Sequence, residues 1–157
     1  MILTLLLNRC FAKLFLERKV EMNIKVAVGA LIKSRKTNRC LFLMRNERSY
    51  NGQFGLVGGK VKKDETVIEG LCREINEEIG FMPEIEKMAR FTEFLSEDKE
   101  FGYLSAVIVV KDEFIPNLNK ESSGYAWVSL RNLPKPMHPR VKDLFKNDIV
   151  ISSIERF

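Results

Sequence analysis

A glycine pair, an amphipathic segment and a cluster of acids follow one another from Gly58 to Phe81, in the sequence GGKVKKDETVIEGLCREINEEIGF. Glu74, Glu77 and Glu78 are spaced at i, i+3 and i+4, so a helix places them on one face within about one turn. Carboxylates crowded in this way repel each other and do not stabilise a helix by themselves. A bound divalent cation would turn the repulsion into attraction, and the acids therefore predict a metal site.

The segment between the glycines and the acids has the pattern of a helix with defined ends. Thr66, followed three residues later by Glu69, fits a capping box, and Gly80 fits a C-terminal stop. The predicted buried face consists of Val67, Leu71, Ile75 and Ile79. Gly70 costs about 1 kcal/mol relative to alanine inside a helix, so we expect another segment to approach closely there.

Apolar and alternating runs on both sides of this helix predict a β-sheet. The predicted strands cover residues 24–32, 40–44, 54–57, 84–96, 103–110 and 125–130. The first two should form a hairpin through the polar residues 33–38, and the β-branched run 103–110 should be central. With a short helix over 139–146, this order predicts an α/β (α+β) fold in which a mixed sheet lies between helices.

Composition favours one globular domain that binds a small polyanion. The chain has 157 residues, 45% hydrophobic and 30% charged, with a net charge of +5. This charge suits a nucleotide and is too modest to indicate a duplex DNA binder, so we expect no stable nucleic-acid partner. The sequence leaves a homodimer open.

Residues 1–22 lack the pattern of the rest of the chain. Their apolar run, residues 2–7, is too short to span a bilayer, and no positively charged stretch precedes it as in a secretory signal. We expect a dispensable extension over 1–22, a single domain over 23–157 and no membrane association.

The cysteines and the single histidine exclude several chemistries. Cys10, Cys40 and Cys72 lie among apolar residues without CxxC spacing, which favours buried reduced thiols and a cytoplasmic location. His138 is the only histidine, so a histidine-based zinc site or a Ser-His-Asp triad is not expected. We interpret His138 as a residue at the start of a helix.

The spacing from Gly59 to Phe81 also reproduces a known signature. Its fixed and apolar positions are Gly59, Glu65, Arg73, Glu74, Ile75, Glu77, Glu78, Gly80 and Phe81, matching G-x5-E-x7-R-E-U-x-E-E-x-G-U with U apolar. The chain therefore resembles the Nudix hydrolase family over roughly residues 23 to 157. The resemblance implies the Nudix fold and metal-dependent hydrolysis of a diphosphate bond.

The same resemblance implies the site residues. The metal ligands would be the carbonyl of Gly58 and the carboxylates of Glu74, Glu77, Glu78 and Glu121, with Glu77 and Glu78 the principal ones. Hard oxygen ligands favour Mg²⁺, with Mn²⁺ as a substitute, over zinc or copper. Glu74 would be a further ligand or the base that orients water, and Arg73 would pair with Glu65 to hold the loop against the helix.

Glu121 comes from a second resemblance, in the loop before Trp127-Val128-Ser129-Leu130. MutT-type Nudix enzymes have a metal-site glutamate in this loop; the alternative is a loop acid in solvent, and Glu97 or Glu100 are less favoured substitutes. Gly59 is a candidate substrate-binding residue, because a glycine lets the backbone approach a phosphate closely. Arg45, at a predicted strand end, and Lys60, beside Gly59, are candidate phosphate-binding residues. For Arg45 and Lys60, the alternative is an ordinary surface charge.

The substrate is less well specified. Gly58-Gly59-Lys60 is shared with MutT-type enzymes and favours a (deoxy)nucleoside triphosphate cleaved to the monophosphate and pyrophosphate, as in nucleotide-pool housecleaning. Two positions depart from the MutT pattern. Val57 stands where those enzymes commonly have a proline, and Met137 stands near the position of their guanine-reading asparagine. ADP-ribose or a dinucleoside polyphosphate is the alternative, although Glu97 stands where ADP-ribose hydrolases carry a proline. A non-catalytic nucleotide-sensing module is the alternative of another class, and the intact set of acids favours the enzyme.

Overall fold

The computed structural model describes residues 25–95 and 101–157, so the predicted extension over 1–22 lies outside the described residues. The strands are β1 (Lys25–Ser34), β2 (Cys40–Arg45), β3 (Phe54–Gly55), β4 (Lys87–Leu95), β5 (Phe101–Val110) and β6 (Ser122–Val128). The helices are α1 (Val67–Ile79), α2 (Pro139–Leu144) and α3 (Asp148–Arg156). No helix in these described ranges is both long and apolar enough to cross a membrane.

The strands form one six-stranded mixed sheet in the order β3-β2-β1-β5-β4, with β6 paired to β2. β1 and β5 are parallel, and the other strand pairs are antiparallel. β1 and β2 pair at Lys33 and Cys40 beside the turn, which confirms the predicted hairpin. Farther from the turn, Val57 and Lys60 bridge to β1, so the glycine pair between them lies against this strand.

Helices cover both faces of the sheet, as the sequence predicts. Leu71, Ile75 and Ile79 of α1 pack in one core cluster with β1, β2 and β5 residues. α2, α3 and the residues between them pack in a second cluster through Val141, Phe145, Ile151 and Ile154. The predicted central strand β5 is paired on both edges, with β1 and β4.

The ends of α1 follow from its sequence. Thr66 and Glu69 form the predicted capping box, and Gly80 closes the helix at φ +82°. Close packing at Gly70 is also confirmed, because a Cβ there would lie 3.1 Å from Cγ2 of Val61. The helix is therefore fixed at both ends and pressed against the loop that precedes it.

Three features of the local structure differ from the predictions. Lys33 was assigned to the turn, but it lies buried in β1 and its Nζ donates to the carbonyls of Ile154 and Glu155, each at 2.8 Å. These carbonyls, at the C-terminal end of α3, accept hydrogen bonds from the buried ammonium group of Lys33. No element is predicted over residues 148–156, where the structure has α3; its sequence signal is Asn147, whose side chain accepts a hydrogen bond from the N–H of Ile149. β6 also starts at Ser122, before the predicted Tyr125.

Candidate active site

In the candidate site, the glycine pair, Gly58 and Gly59, contacts β1 directly. The N–H of Val28 donates to the carbonyl of Gly59 at 2.8 Å. A Cβ on Gly58, whose φ is +147°, would lie 2.1 Å from the carbonyl oxygen of Val28. Only glycine fits at this position without displacing the strand.

Glu78 is buried against Gly58. Its side chain accepts a hydrogen bond from the N–H of Gly58 at 2.6 Å, and the residue is 8% exposed. Burial raises the pKa of Glu78 to about 8; the charges of Glu74 and Glu121 act in the same direction, and the Gly58 bond and Arg45 oppose it. Glu121 and Arg45, which are distant in sequence, thus lie within electrostatic reach of Glu78.

Glu74 occupies the space that glycine leaves at position 59. A Cβ on Gly59 would lie 2.5 Å from Oε1 and 2.6 Å from Oε2 of Glu74. Glu74 is 7% exposed, and its Oε1 accepts a hydrogen bond from Arg73 at 2.8 Å. The two buried carboxylates therefore stand side by side, each against one glycine of the pair.

Glu77 lies on the solvent side of these two acids. Its side chain is 48% exposed, accepts from Arg73 at 3.0 Å and lies 4.0 Å from Nζ of Lys62. Across residues 25–95 and 101–157, no three acidic, histidine or cysteine side chains form a ready-made metal-ligand set. The inward acids are thus Glu74 and Glu78.

Arg73 joins the loop before α1 to the acids on the helix. Its Nε donates to Oε1 of Glu65 at 2.5 Å, and its second amino group donates to Glu65 at 3.0 Å and to the carbonyl of Lys60 at 2.8 Å. This paired geometry is the strong form of an arginine–carboxylate contact. It leaves the remaining amino group for Glu74 and Glu77.

The Glu65–Arg73 pair gives a pH-dependent contribution to stability. The bonds from Arg73, with that from the N–H of Lys62, lower the pKa of Glu65 to about 2. A folded-state pKa below the ordinary value of 4.5 means that the contribution is present above pH 4.5 and is lost as the pH falls towards 2. The melting temperature of Glu65→Gln should therefore fall less steeply than that of wild type as the pH is lowered from 4.5 to 2. Asp64→Asn, which removes an exposed neighbouring acid, should retain the wild-type slope; equal slopes in all three proteins would contradict the assignment.

Arg45 is a second basic residue near the buried acids, and its charge acts on Glu78. It pairs with Glu47, while its Nε is buried without a partner. Lys60, the other candidate phosphate-binding residue, has an exposed side chain, and its backbone bridges to Ala27. Of the two, Arg45 is the better placed to meet a phosphate beside Glu78, because its charge already acts on that carboxylate.

Two further buried polar atoms near Arg45 also lack hydrogen-bond partners. They are Oε1 of Gln53 and Nδ1 of His138. Neither residue was predicted from the sequence to belong to the site. Gln53 and Arg45 are neighbours through the backbone bond from Arg45 N–H to the Gln53 carbonyl at 3.0 Å. His138 precedes α2, as predicted, and its ring lies 4.1 Å from that of Tyr50. No local motif marks these residues, because strand pairing brings them together.

Glu121 is placed beside the site by Asn46. The N–H of Asn46 donates to the carbonyl of Glu121 at 2.7 Å, and its side-chain amide donates to the carbonyl of Lys120 at 3.0 Å. The N–H of Glu121 in turn donates to Asn119 at 2.9 Å. The Glu121 side chain is exposed, so it is available to solvent and to a ligand.

Glu121→Gln tests whether this carboxylate takes part in catalysis. We expect a roughly tenfold to hundredfold lower kcat and a higher Mg²⁺ requirement, as for other groups that tune a metal site. Steady-state kinetics over a Mg²⁺ titration measure both quantities. Glu84→Gln, at an exposed acid outside the site, is the control. If Glu121→Gln behaves like this control, Glu121 is an ordinary loop residue.

The donor set fits a hard divalent cation. Two buried carboxylates cost free energy when ionised together, and a cation removes that cost. Mg²⁺ typically binds to one or two carboxylates and completes its shell with water and substrate phosphate oxygens. Glu74 and Glu78 would supply the protein ligands, with Glu77 and Glu121 at the periphery.

Comparison with known proteins gives a consistent family. Residues 23–147 match the NUDIX domain. An ADP-ribose pyrophosphatase from Methanocaldococcus jannaschii is 30% identical over 120 residues, covering 74% of this chain and 69% of the relative. A MutT protein from Methanosarcina mazei Go1 has a similar structure, with a TM-score of 0.62 and 28% identity over 87% of this chain and 96% of that chain.

A third similar structure shares the fold. The NUDIX domain of NrtR from Shewanella oneidensis, in complex with ADP ribose, has a TM-score of 0.64 and 14% identity, covering 78% of this chain and 84% of that chain. The domain match covers most of the chain and includes the glycine pair, α1 and the loop of Glu121. The chain belongs to the Nudix hydrolase family and is a pyrophosphohydrolase.

Proposed function

We propose that this protein hydrolyses the diphosphate bond of a nucleoside diphosphate linked to another group, with ADP-ribose as the first candidate substrate. The observation that carries the proposal is the pair of buried carboxylates, Glu74 and Glu78, held against Gly58 and Gly59 with the charge of Arg45 nearby. The 30% identical relative is an ADP-ribose pyrophosphatase, which supports this choice of substrate.

The roles of the residues follow from their positions. Nudix hydrolases generally use a divalent metal such as Mg²⁺, which neutralises the charge of the diphosphate and of the leaving phosphate. Glu74 and Glu78 would hold the metal, and Arg45 would donate through its free Nε to a phosphate oxygen. Glu74 or Glu121 would orient the attacking water and accept its proton. The water oxygen then bonds to phosphorus as the anhydride P–O bond breaks, which releases two phosphate monoesters.

The unpartnered atoms near Arg45 favour a substrate with polar groups beyond its phosphates. Buried polar atoms normally have partners, and those of Gln53 and His138 have none within the described residues. Burial lowers the pKa of His138, so its ring is neutral near pH 7 and offers one donor and one acceptor. Ribose hydroxyls or base edges can pair with such groups.

A (deoxy)nucleoside triphosphate is the second candidate substrate. It is favoured by Gly58-Gly59-Lys60 and by the 28% identical MutT protein, and from the sequence alone it was the first choice. We place ADP-ribose first because the ADP-ribose pyrophosphatase shares more sequence identity with this chain than the MutT protein does. In this second reaction the products would be a nucleoside monophosphate and pyrophosphate.

The test is a substrate panel with the purified protein and Mg²⁺. ADP-ribose should yield AMP and ribose 5-phosphate, while triphosphates would yield pyrophosphate; the products can be separated by chromatography. Chelation with EDTA should abolish turnover, and added Mg²⁺ should restore it. Binding of nucleotides without hydrolysis of ADP-ribose, triphosphates or dinucleoside polyphosphates would sink the proposal and indicate a nucleotide-sensing module.

We further propose that the protein acts on free nucleotides in the cytoplasm. Cys40 is buried and Cys72 partly buried, and both are free thiols. Burial raises the pKa of both thiols, so neither is activated for reaction. Fractionation of the host cell would test the location.

A further inference from the structure

The hydroxyl of Tyr103 fills the place that a side chain at residue 29 would take. A Cβ built on Gly29 would lie 2.0 Å from the Tyr103 hydroxyl oxygen and 3.0 Å from the ring carbon that carries it. Tyr103 lies on β5 and pairs with Ala27 of β1 in the parallel register. The phenol therefore reaches across to the neighbouring strand and rests on the backbone of Gly29.

Gly29 in turn packs directly against Gly58. A Cβ on Gly58 would lie 2.8 Å from the Cα of Gly29 and 2.9 Å from the carbonyl carbon of Val28. The glycine pair is held against the strand on either side of this contact, by Val28 N–H to Gly59 and by Ala30 N–H to the carbonyl of Val57 at 2.7 Å. Any movement of β1 at Gly29 must therefore move Gly58.

Gly58 ends this chain of contacts at the catalytic carboxylate, through its 2.6 Å bond to Glu78. A second observation links the two ends independently of the packing. Burial raises the pKa of Tyr103 to about 12, and the charge of Glu78 acts in the same direction. Tyr103 and Glu78 are thus close enough to influence each other although they lie on different elements.

We infer that Tyr103 is a positioning residue for Glu78, acting through the backbone contacts of Gly29 and Gly58. Its hydroxyl packs on β1 at Gly29, beside the glycine pair, and so holds in place the backbone whose Gly58 N–H binds the carboxylate. Well-packed backbone transmits such a displacement because the interior has little free volume to absorb it. The inference rests on the proposed function, since it assumes that Glu78 holds the metal.

The competing explanation is that Tyr103 is an ordinary packed aromatic, or that its hydroxyl contacts the substrate directly. The structure offers a swap that separates these explanations. Tyr103→Phe removes the oxygen that touches Gly29, and Gly29→Ala adds a carbon 2.0 Å from that oxygen's position. In the double variant the added methyl group occupies part of the space that the removed hydroxyl leaves, and the 3.0 Å contact with the ring requires a shift of a few tenths of an ångström.

The experiment measures kcat, KM and the Mg²⁺ concentration at half-maximal rate for both single variants and the double variant. Each single variant should raise the Mg²⁺ requirement by about tenfold and leave KM within about twofold, as expected when a support of a metal ligand is lost. The double variant should recover to within about threefold of wild type. Ser105→Ala is the control, because it removes a buried, unpartnered hydroxyl from the same strand and should change neither quantity.

The remaining outcomes overturn the inference. Wild-type kinetics in Tyr103→Phe would show that the hydroxyl positions nothing. A double variant as impaired as Tyr103→Phe, with a melting temperature equal to that of Ser105→Ala, would assign the hydroxyl a direct chemical role. Calorimetric titration with Mn²⁺ measures the metal affinity of wild type, both single variants and the double variant in the absence of substrate. If wild type hydrolyses no nucleotide, the proposed function fails, whereas the Mn²⁺ affinities still decide for or against positioning by Tyr103.

Discussion

Glu78→Gln is expected to lower kcat by on the order of a thousandfold or more while leaving the fold intact. The amide oxygen can still accept the bond from Gly58 N–H, so the local geometry is retained. It cannot supply the negative charge that a divalent cation requires, so metal binding and turnover should both fall. Steady-state kinetics with saturating Mg²⁺ measure the loss, and near-normal turnover would show that the ligand assignment is wrong.

The stability of Glu78→Gln provides an internal check on the same assignment. Because the folded pKa of about 8 exceeds the ordinary value of 4.5, the metal-free protein loses stability as the pH rises from about 4.5 to 8. The amide does not titrate, so the variant should lack this loss and melt above wild type at pH 8 without metal. Glu84→Gln, at an exposed acid, should keep the wild-type pH dependence.

Gly59→Ala should have the second largest effect, although it adds a single methyl group. The new Cβ would lie 2.5 to 2.6 Å from the carboxyl atoms of Glu74, so that side chain must leave its position. Displacement of a catalytic group by about 1 Å can cost on the order of a hundredfold in rate, and we expect a loss in kcat of that size.

The control for this variant is Gly124→Ala. Its added Cβ would approach nothing closer than the Cβ of Met44 at 3.8 Å, which is ordinary contact. It should therefore retain wild-type kcat and show a similar melting temperature. Equal activity of Gly59→Ala and Gly124→Ala would mean that Glu74 is free to move without consequence, and would remove it from the site.

Local sequence patterns predicted the helix of the site well, because its information is contained within one segment. Thr66, Glu69 and Gly80 set the ends of α1, and the four-residue spacing of its apolar side chains set the face that packs on the sheet. The mixed sheet between helices was also predictable from the order of the apolar runs. Each of these features depends on neighbours close in sequence.

The features that the sequence did not predict depend on distant partners. Lys33 looks like a turn residue until the helix carbonyls that accept from it are known, and α3 is not predicted because the residues on which it packs are distant in sequence. Likewise, strand pairing and packing bring Gln53 and His138 near Arg45, and Tyr103 near Glu78, and none of them belongs to a motif. Helical spacing placed Glu74, Glu77 and Glu78 on one face, but only Glu74 and Glu78 are buried, because these two lie against Gly59 and Gly58.

The buried ammonium of Lys33 has a consequence for how the chain folds as it is synthesised. Its acceptors, the carbonyls of Ile154 and Glu155, follow it by 121 and 122 residues. Until the ribosome has released those residues, β1 can enter the core only with an unsatisfied charge, which is unfavourable. Completion of the sheet is thereby coupled to the synthesis of α3, so a nascent chain that lacks α3 should remain open to proteases and chaperones.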